Sequence, residues 1–149
     1  MWLWFHKLSS PPVFYTLAGR FIPWLAIITA GLLAWGLYGG LILAPADYEQ
    51  GEGFRIIYVH VPSAWLSLMA YSSMAVAAVI SLVWRMKLAE VYIQSAAPLG
   101  AAFTFLALAT GALWGQPMWG TCWVWDARLT SELILLFLYL GIIALGGAI

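Results

Sequence analysis

The residue types that can do chemistry are concentrated in one stretch, Trp114 to Glu132, which reads WGQPMWGTCWVWDARLTSE. Four of the ten tryptophans, Trp114, Trp119, Trp123 and Trp125, fall within twelve residues. Gly115, Pro117 and Gly120 interrupt them, and Asp126 and Arg128 follow. Glycine and proline break a straight helix, so a bent ledge is expected here. Its rings offer a flat, polarizable surface with indole N–H donors at the edge. One use is an interfacial aromatic belt, because tryptophan concentrates where headgroups meet hydrocarbon. The other is a platform for a large planar apolar molecule, which the glycines would let approach the backbone.

Two further sites carry titratable or ligating groups. His60, in IIYVHVPSAW, stands at the head of an apolar run. A histidine there is either a hydrogen-bonded interfacial residue or a metal ligand through its neutral imidazole. Asp126, Arg128 and Glu132 cluster where the last apolar run begins, with Asp126 placed to cap a helix and Arg128 and Glu132 spaced i,i+4. Glu132 lies one turn inside that run, where an ionisable group needs a partner or an aqueous pocket. No Ser/His/Asp grouping, glycine-rich phosphate loop or zinc-ligand spacing occurs, so catalysis has no candidate residues.

WGQPMWGTCWVWD resembles the tryptophan-rich WWD signature of the haem-handling membrane proteins of cytochrome c maturation. With IIYVHVPSAW before it and DARLTSELILLFLYLG after it, the chain is similar to the CcmC family over nearly all of its 149 residues. The resemblance implies a subunit that binds haem b and presents it to a periplasmic haem chaperone, beside ATP-driven transporter subunits and a small single-span membrane subunit. It implies that His60 is one of two axial ligands, the second lying in a later loop that this chain does not contain. It also casts Trp114, Trp119, Trp123, Trp125 and Asp126 as haem-site residues. Arg128 and Arg55 become candidates for the propionates, since a guanidinium suits carboxylates bidentately. Cys122 is a departure, standing where the family typically carries another tryptophan. Two other readings stay open: a transport subunit whose tryptophans are only a belt, and a haem or quinone redox subunit. The redox reading calls for paired histidines on two helices, which the sequence lacks.

The elements that must position these residues follow from composition. Hydrophobic residues make up 64% of the chain and charged residues 8%, with a mean hydropathy of +0.94. A soluble domain carries about 25% charged residues, so this composition cannot cover a water-exposed globule. An all-α, polytopic transmembrane helix bundle is expected, because lipid admits only helices and closed barrels and barrel-type alternation is absent. Six basic residues balance six acidic ones, and no basic patch points to nucleic acid. A single cysteine excludes an internal disulfide and a multi-cysteine metal site.

Four spans are expected, at about 21–43, 62–84, 95–113 and 129–149, with the outward ledge at 114–128. Residues 1–20 read as an amphipathic lead containing Trp2, Trp4, Phe5 and the breakers Pro11 and Pro12. His6, within it, has no companion groups. The first span has no cleavable-signal pattern and is expected to stay as an anchor. Pro62 is expected to open or kink the second span beside His60, and Pro98 to sit in the first turn of the third. The chain stops on apolar residues, and the resemblance implies two further helices beyond it.

Orientation follows from the positive-inside rule. Lys7 and Arg20 precede the first span and Arg85 and Lys87 follow the second, which places both on the cytoplasmic side of a bacterial inner membrane. The connection holding Asp47, Glu49 and Glu52 then faces outward with the ledge. His60 and the tryptophans thus share a face although 54 residues separate His60 from Trp114. Single cysteines at Glu49 and at Trp119, in a Cys122→Ser background, should both react with an impermeant thiol reagent in spheroplasts. Protection of both would reverse the orientation.

Overall fold

The computed structural model describes residues 10–147. Residues 1–9 of the expected lead, among them Trp2, Trp4, Phe5, His6 and Lys7, lie outside the described residues. Four helices are long and apolar enough to cross a membrane. They are α1 (Pro11–Tyr38), α2 (Ile57–Trp84), α3 (Lys87–Trp119) and α4 (Ala127–Gly146). A π-helical turn, Gly39–Leu43, extends α1, and a 3-10 turn, Glu52–Ile56, leads into α2.

Several boundaries differ from the sequence expectation, and proline explains most of them. Pro11 and Pro12 open α1, so residues 11–20 of the expected lead belong to the first helix; at a helix start a missing N–H is harmless and the fixed φ suits a helix. Pro62, Pro98 and Pro117 all lie inside helices. Pro62 neither opens nor ends α2, because the helix has already begun at Ile57. Ser63, next to it, donates to the Val59 carbonyl at 2.7 Å. Pro98 is well inside α3 rather than in its first turn, because the α2–α3 connection is only Arg85 and Met86. Arg85 takes a left-handed φ of 52° and donates its N–H to Ser81, and the extended Met86 starts α3.

The core lies among α2, α3 and α4. Met74, Ala97, Leu135 and Tyr139 form its buried cluster, with Ala70, Tyr71 and Ile93 packed on it. Between helices in lipid the driving force is close packing and interhelical hydrogen bonding, and small residues permit both. The fully buried Tyr139 illustrates this. Its ring occupies the place a side chain at Gly100 would need. Its hydroxyl crosses to the Ser67 carbonyl on α2 at 2.7 Å. Tyr92 on α3 ties to Ser73 on α2 at 2.7 Å. α1 buries none of its residues; its π-helical continuation meets α2 where Gly40 faces the Tyr58 ring.

Gly100→Val should destabilise the bundle by about 1–3 kcal/mol, the usual cost of forcing volume into a packed site, because the buried Tyr139 ring has nowhere to go. Gly31, with nothing within 4 Å, is the control, and Gly31→Ala should be neutral or stabilising. Thermal unfolding of the detergent-solubilised chain measures both. Equal behaviour of the two variants would contradict the packing described.

Candidate functional site

The α2–α3 hairpin brings His60, in the first turn of α2, beside the C-terminal third of α3. The His60 Nδ1 lies 3.1 Å from the Ala107 carbonyl and 3.0 Å from the Thr110 hydroxyl. The carbonyl can only accept. Thr110 gives its own proton back to α3, at 2.7 Å to Leu106 and 3.2 Å to Ala107. Nδ1 therefore carries the ring proton and Nε2 carries the lone pair. A histidine metal ligand commonly fixes its tautomer and orientation in this way, through the ring nitrogen that does not bind.

Glycine makes this approach possible. A Cβ at Gly111 would sit 3.1 Å from His60 Cε1. One turn on, a Cβ at Gly115 would sit 2.8 Å from the Thr121 carbonyl, so the chain beyond α3 folds back closely there. Between the two glycines, Trp114 meets His60 edge-to-face, with centroids 5.8 Å apart. Its indole N–H donates to Gln50 at 3.0 Å. Gln50 is itself held by the turn in which Asp47 Oδ1 accepts from the Glu49 and Gln50 N–H groups. That turn closes through Gly51, whose φ of 57° favours glycine.

The tryptophan stretch is only partly the bent ledge expected from its glycines and proline. Trp114, Gly115, Pro117 and Trp119 all belong to α3. The helix ends at Gly120, which adopts φ 71° and donates its N–H to Gln116, the left-handed glycine stop. The irregular part is thus Gly120–Asp126. Thr121, Cys122, Val124 and Asp126 line the cavity described below, whereas Trp123 and Trp125 do not. Those two pack edge-to-face on each other at 5.4 Å, and Trp125 is 74% exposed.

Asp126 caps α4 as expected, accepting from the Leu129 N–H at 2.8 Å. Arg128 does not pair with Glu132. It turns back to Asp126, with Nη2 and Nε at 2.8 and 3.0 Å from Oδ2, and its guanidinium lies 6.0 Å from the Trp119 ring centre. The capped N–H, then the Arg128 hydrogen bond, hold the Asp126 carboxyl below the usual carboxylate range. Glu132 instead accepts from Ser67 on α2 at 2.8 Å. Arg55 pairs with Glu52 and donates to the Leu41 carbonyl at 2.9 Å.

These groups surround a cavity of about 690 Å³, within the range of pockets for sizeable ligands. His60, Trp114, Trp119, Asp126 and Arg128 line it; Trp123, Trp125 and Arg55 do not. Its walls also include Ala107, Gly111 and Gly115 on α3, which were not candidates, and Glu132 on α4, which the sequence marked as an ionisable group in need of a partner or an aqueous pocket. The four-residue spacing of Ala107, Gly111 and Gly115 marks one helix face of small residues. That periodicity was the available signal for the wall. Thr110 and Gln50, which fix His60 and Trp114, carried no comparable signal.

Because its carboxyl titrates low, Asp126 contributes stability that is full above the ordinary carboxylate range and is lost as pH falls through its lowered value. Asn can still cap the helix, so Asp126→Asn isolates the charge. Wild type should be the more stable at neutral pH, with the difference vanishing only in strong acid. A difference that disappears near neutrality would contradict this pairing.

The CcmC family model, described as heme exporter protein C, matches residues 4–149. Heme exporter protein C of Escherichia coli strain K12 is 59% identical over 145 residues, covering 97% of this chain and 59% of that protein. The Haemophilus influenzae protein of the same name is 56% identical over 148 residues, 99% of this chain and 60% of the relative. That of Rhodobacter capsulatus is 44% identical over 143 residues, covering 96% and 59%. The chain thus spans about three fifths of the length of these curated relatives. With the match running through the helices that enclose the cavity, this chain belongs to the heme exporter protein C (CcmC) family.

Proposed function

We propose that this chain binds haem at the outer face of a bacterial cytoplasmic membrane and hands it on for cytochrome c maturation. The observation that carries the reading is His60, held through Nδ1 so that Nε2 keeps its lone pair, at a cavity walled by Trp114 and Trp119. The donor set suits the cargo. A neutral imidazole is a good ligand for haem iron, indole faces suit a planar macrocycle, and Arg128 suits a propionate. The relatives' name, heme exporter protein C, supports the same cargo.

Each residue then has a task in binding and transfer. His60 ligates the iron of haem b. Trp114, fastened by Gln50, holds the His60 ring edge-on and offers its own surface to the porphyrin. Trp119, largely exposed at 63%, forms the side through which the cargo leaves. Arg128 can exchange Asp126 for a propionate, because its side chain is 81% exposed. Trp123 and Trp125 present apolar surface beside this opening, suited to a periplasmic haem chaperone arriving there. The chaperone, ATP-driven transporter subunits and a small single-span subunit are the partners, and Arg55 secures the connection leading to His60.

Replacing His60 with Ala should alter the iron coordination spectrum, with part of the porphyrin retained by the tryptophans. Added imidazole should partly restore the spectrum by occupying the vacated position. Trp119→Ala should cost about 0.5–1.5 kcal/mol of aromatic contact and lower haem retention without changing the coordination spectrum. An unaltered coordination spectrum in His60→Ala at equal haem occupancy would overturn the ligand assignment.

A further inference from the structure

The hold on His60 comes down to one side chain and one carbonyl, and they are not equivalent. Among the described residues the ring makes two hydrogen bonds, both from Nδ1–H, to the Ala107 carbonyl at 3.1 Å and to the Thr110 hydroxyl at 3.0 Å. The carbonyl is shared: it also lies 3.2 Å from the Thr110 hydroxyl and faces the helical N–H four residues on. The Thr110 oxygen has given its proton to Leu106 at 2.7 Å and turns only lone pairs to the ring. A threonine in a spanning helix ordinarily bonds a carbonyl one turn back and nothing more. Thr104, fully buried on the same helix, does just that among the described residues, donating to Gly100 at 2.8 Å. Thr110 adds a bond to another helix, at the one imidazole on the cavity wall. Gly111 only leaves room at Cε1, and Trp114 meets the ring edge-to-face; neither holds the ring's proton.

We propose that Thr110 is the positioning residue for the iron ligand: its hydroxyl sets the plane of the His60 ring and thereby the strength with which haem iron is held. This role rests on the haem reading above. Partners of a ligating histidine's second nitrogen orient the ring and raise its basicity, and their loss typically costs about 10–100-fold in metal affinity. A carboxylate partner makes the stronger, charge-assisted bond. Both acceptors here are neutral, so the ring is aimed without the full basicity that an acid would confer. A well-aimed ligand of moderate strength suits a protein that must give its cargo up.

Haem titration of the detergent-solubilised chain, followed by absorption, tests the role. Thr110→Val keeps the shape and removes the acceptor. It should weaken haem binding about tenfold and change the coordination spectrum, whereas Thr110→Ser, which keeps the hydroxyl, should stay within about twofold of wild type. Thr104→Val removes a back-bond of the same kind and should leave both readouts as they are. In a His60→Ala background Thr110→Val should cost nothing further, because a positioning residue acts only through the ring it positions. If the Val variant does not fold, Thr110→Ala answers the same question with less bulk. An equal loss in both backgrounds, the same loss in Thr104→Val, or wild-type affinity and spectrum in Thr110→Val would overturn the role while haem binding stands. Failure of the wild-type chain to bind haem at all would overturn the haem reading, and this role with it.

Discussion

The structure depends on how closely α2, α3 and α4 approach one another. Among lipid-facing helices an apolar side chain gains nothing by moving from lipid to protein, so association has to come from contact and from polar groups satisfied across the gap. Tyr139 supplies both, its ring seated where Gly100 leaves room and its hydroxyl reaching the Ser67 carbonyl. The same approach continues toward the cavity, where Gly111 admits the His60 ring and Gly115 admits the returning chain at Thr121. Scaffold and site are two ends of one packing solution.

Much of this was legible in the sequence, and the reasons can be located. Four long apolar stretches predicted four helices, and the described residues contain four that are long and apolar enough to cross a membrane. The shared face of His60 and the tryptophans followed from alternating spans, and His60 does meet Trp114. Asp126 was readable as a cap because an acceptor directly before an apolar helix has a local task. Local rules failed where tertiary context decided. Pro62 was expected to open or kink its span, Pro98 to sit in a first turn and Pro117 to break the ledge, yet all three lie inside helices. Arg128 was as well spaced for Glu132 as for Asp126, and only the placement of Ser67 on α2 shows why Glu132 faces elsewhere.

The four tryptophans also separate into two groups that composition could not distinguish. Trp114 and Trp119 sit on the rigid end of α3, so their positions are set by the helix that also positions His60. Trp123 and Trp125 sit on the irregular return and do not line the cavity. Of the rings in this stretch, Trp114 and Trp119 border the cavity that a platform requires. Cys122 lines the cavity, with its thiol 3.1 Å from Gln116.

The turn at Arg85 and Met86 has a consequence for how this architecture arises. Closing a connection of only two residues sacrifices little chain entropy, and contacts between neighbours in sequence form sooner than distant ones. The α2–α3 hairpin is therefore the natural first unit of assembly, and it already contains His60, its Thr110 and Ala107 acceptors, and Trp114. The wall bearing Asp126, Arg128 and Glu132 is added only when α4 returns across Gly120–Asp126. During synthesis the imidazole is thus oriented before α4 closes the cavity, and the placement of its ring is inherited from a nascent pair of helices.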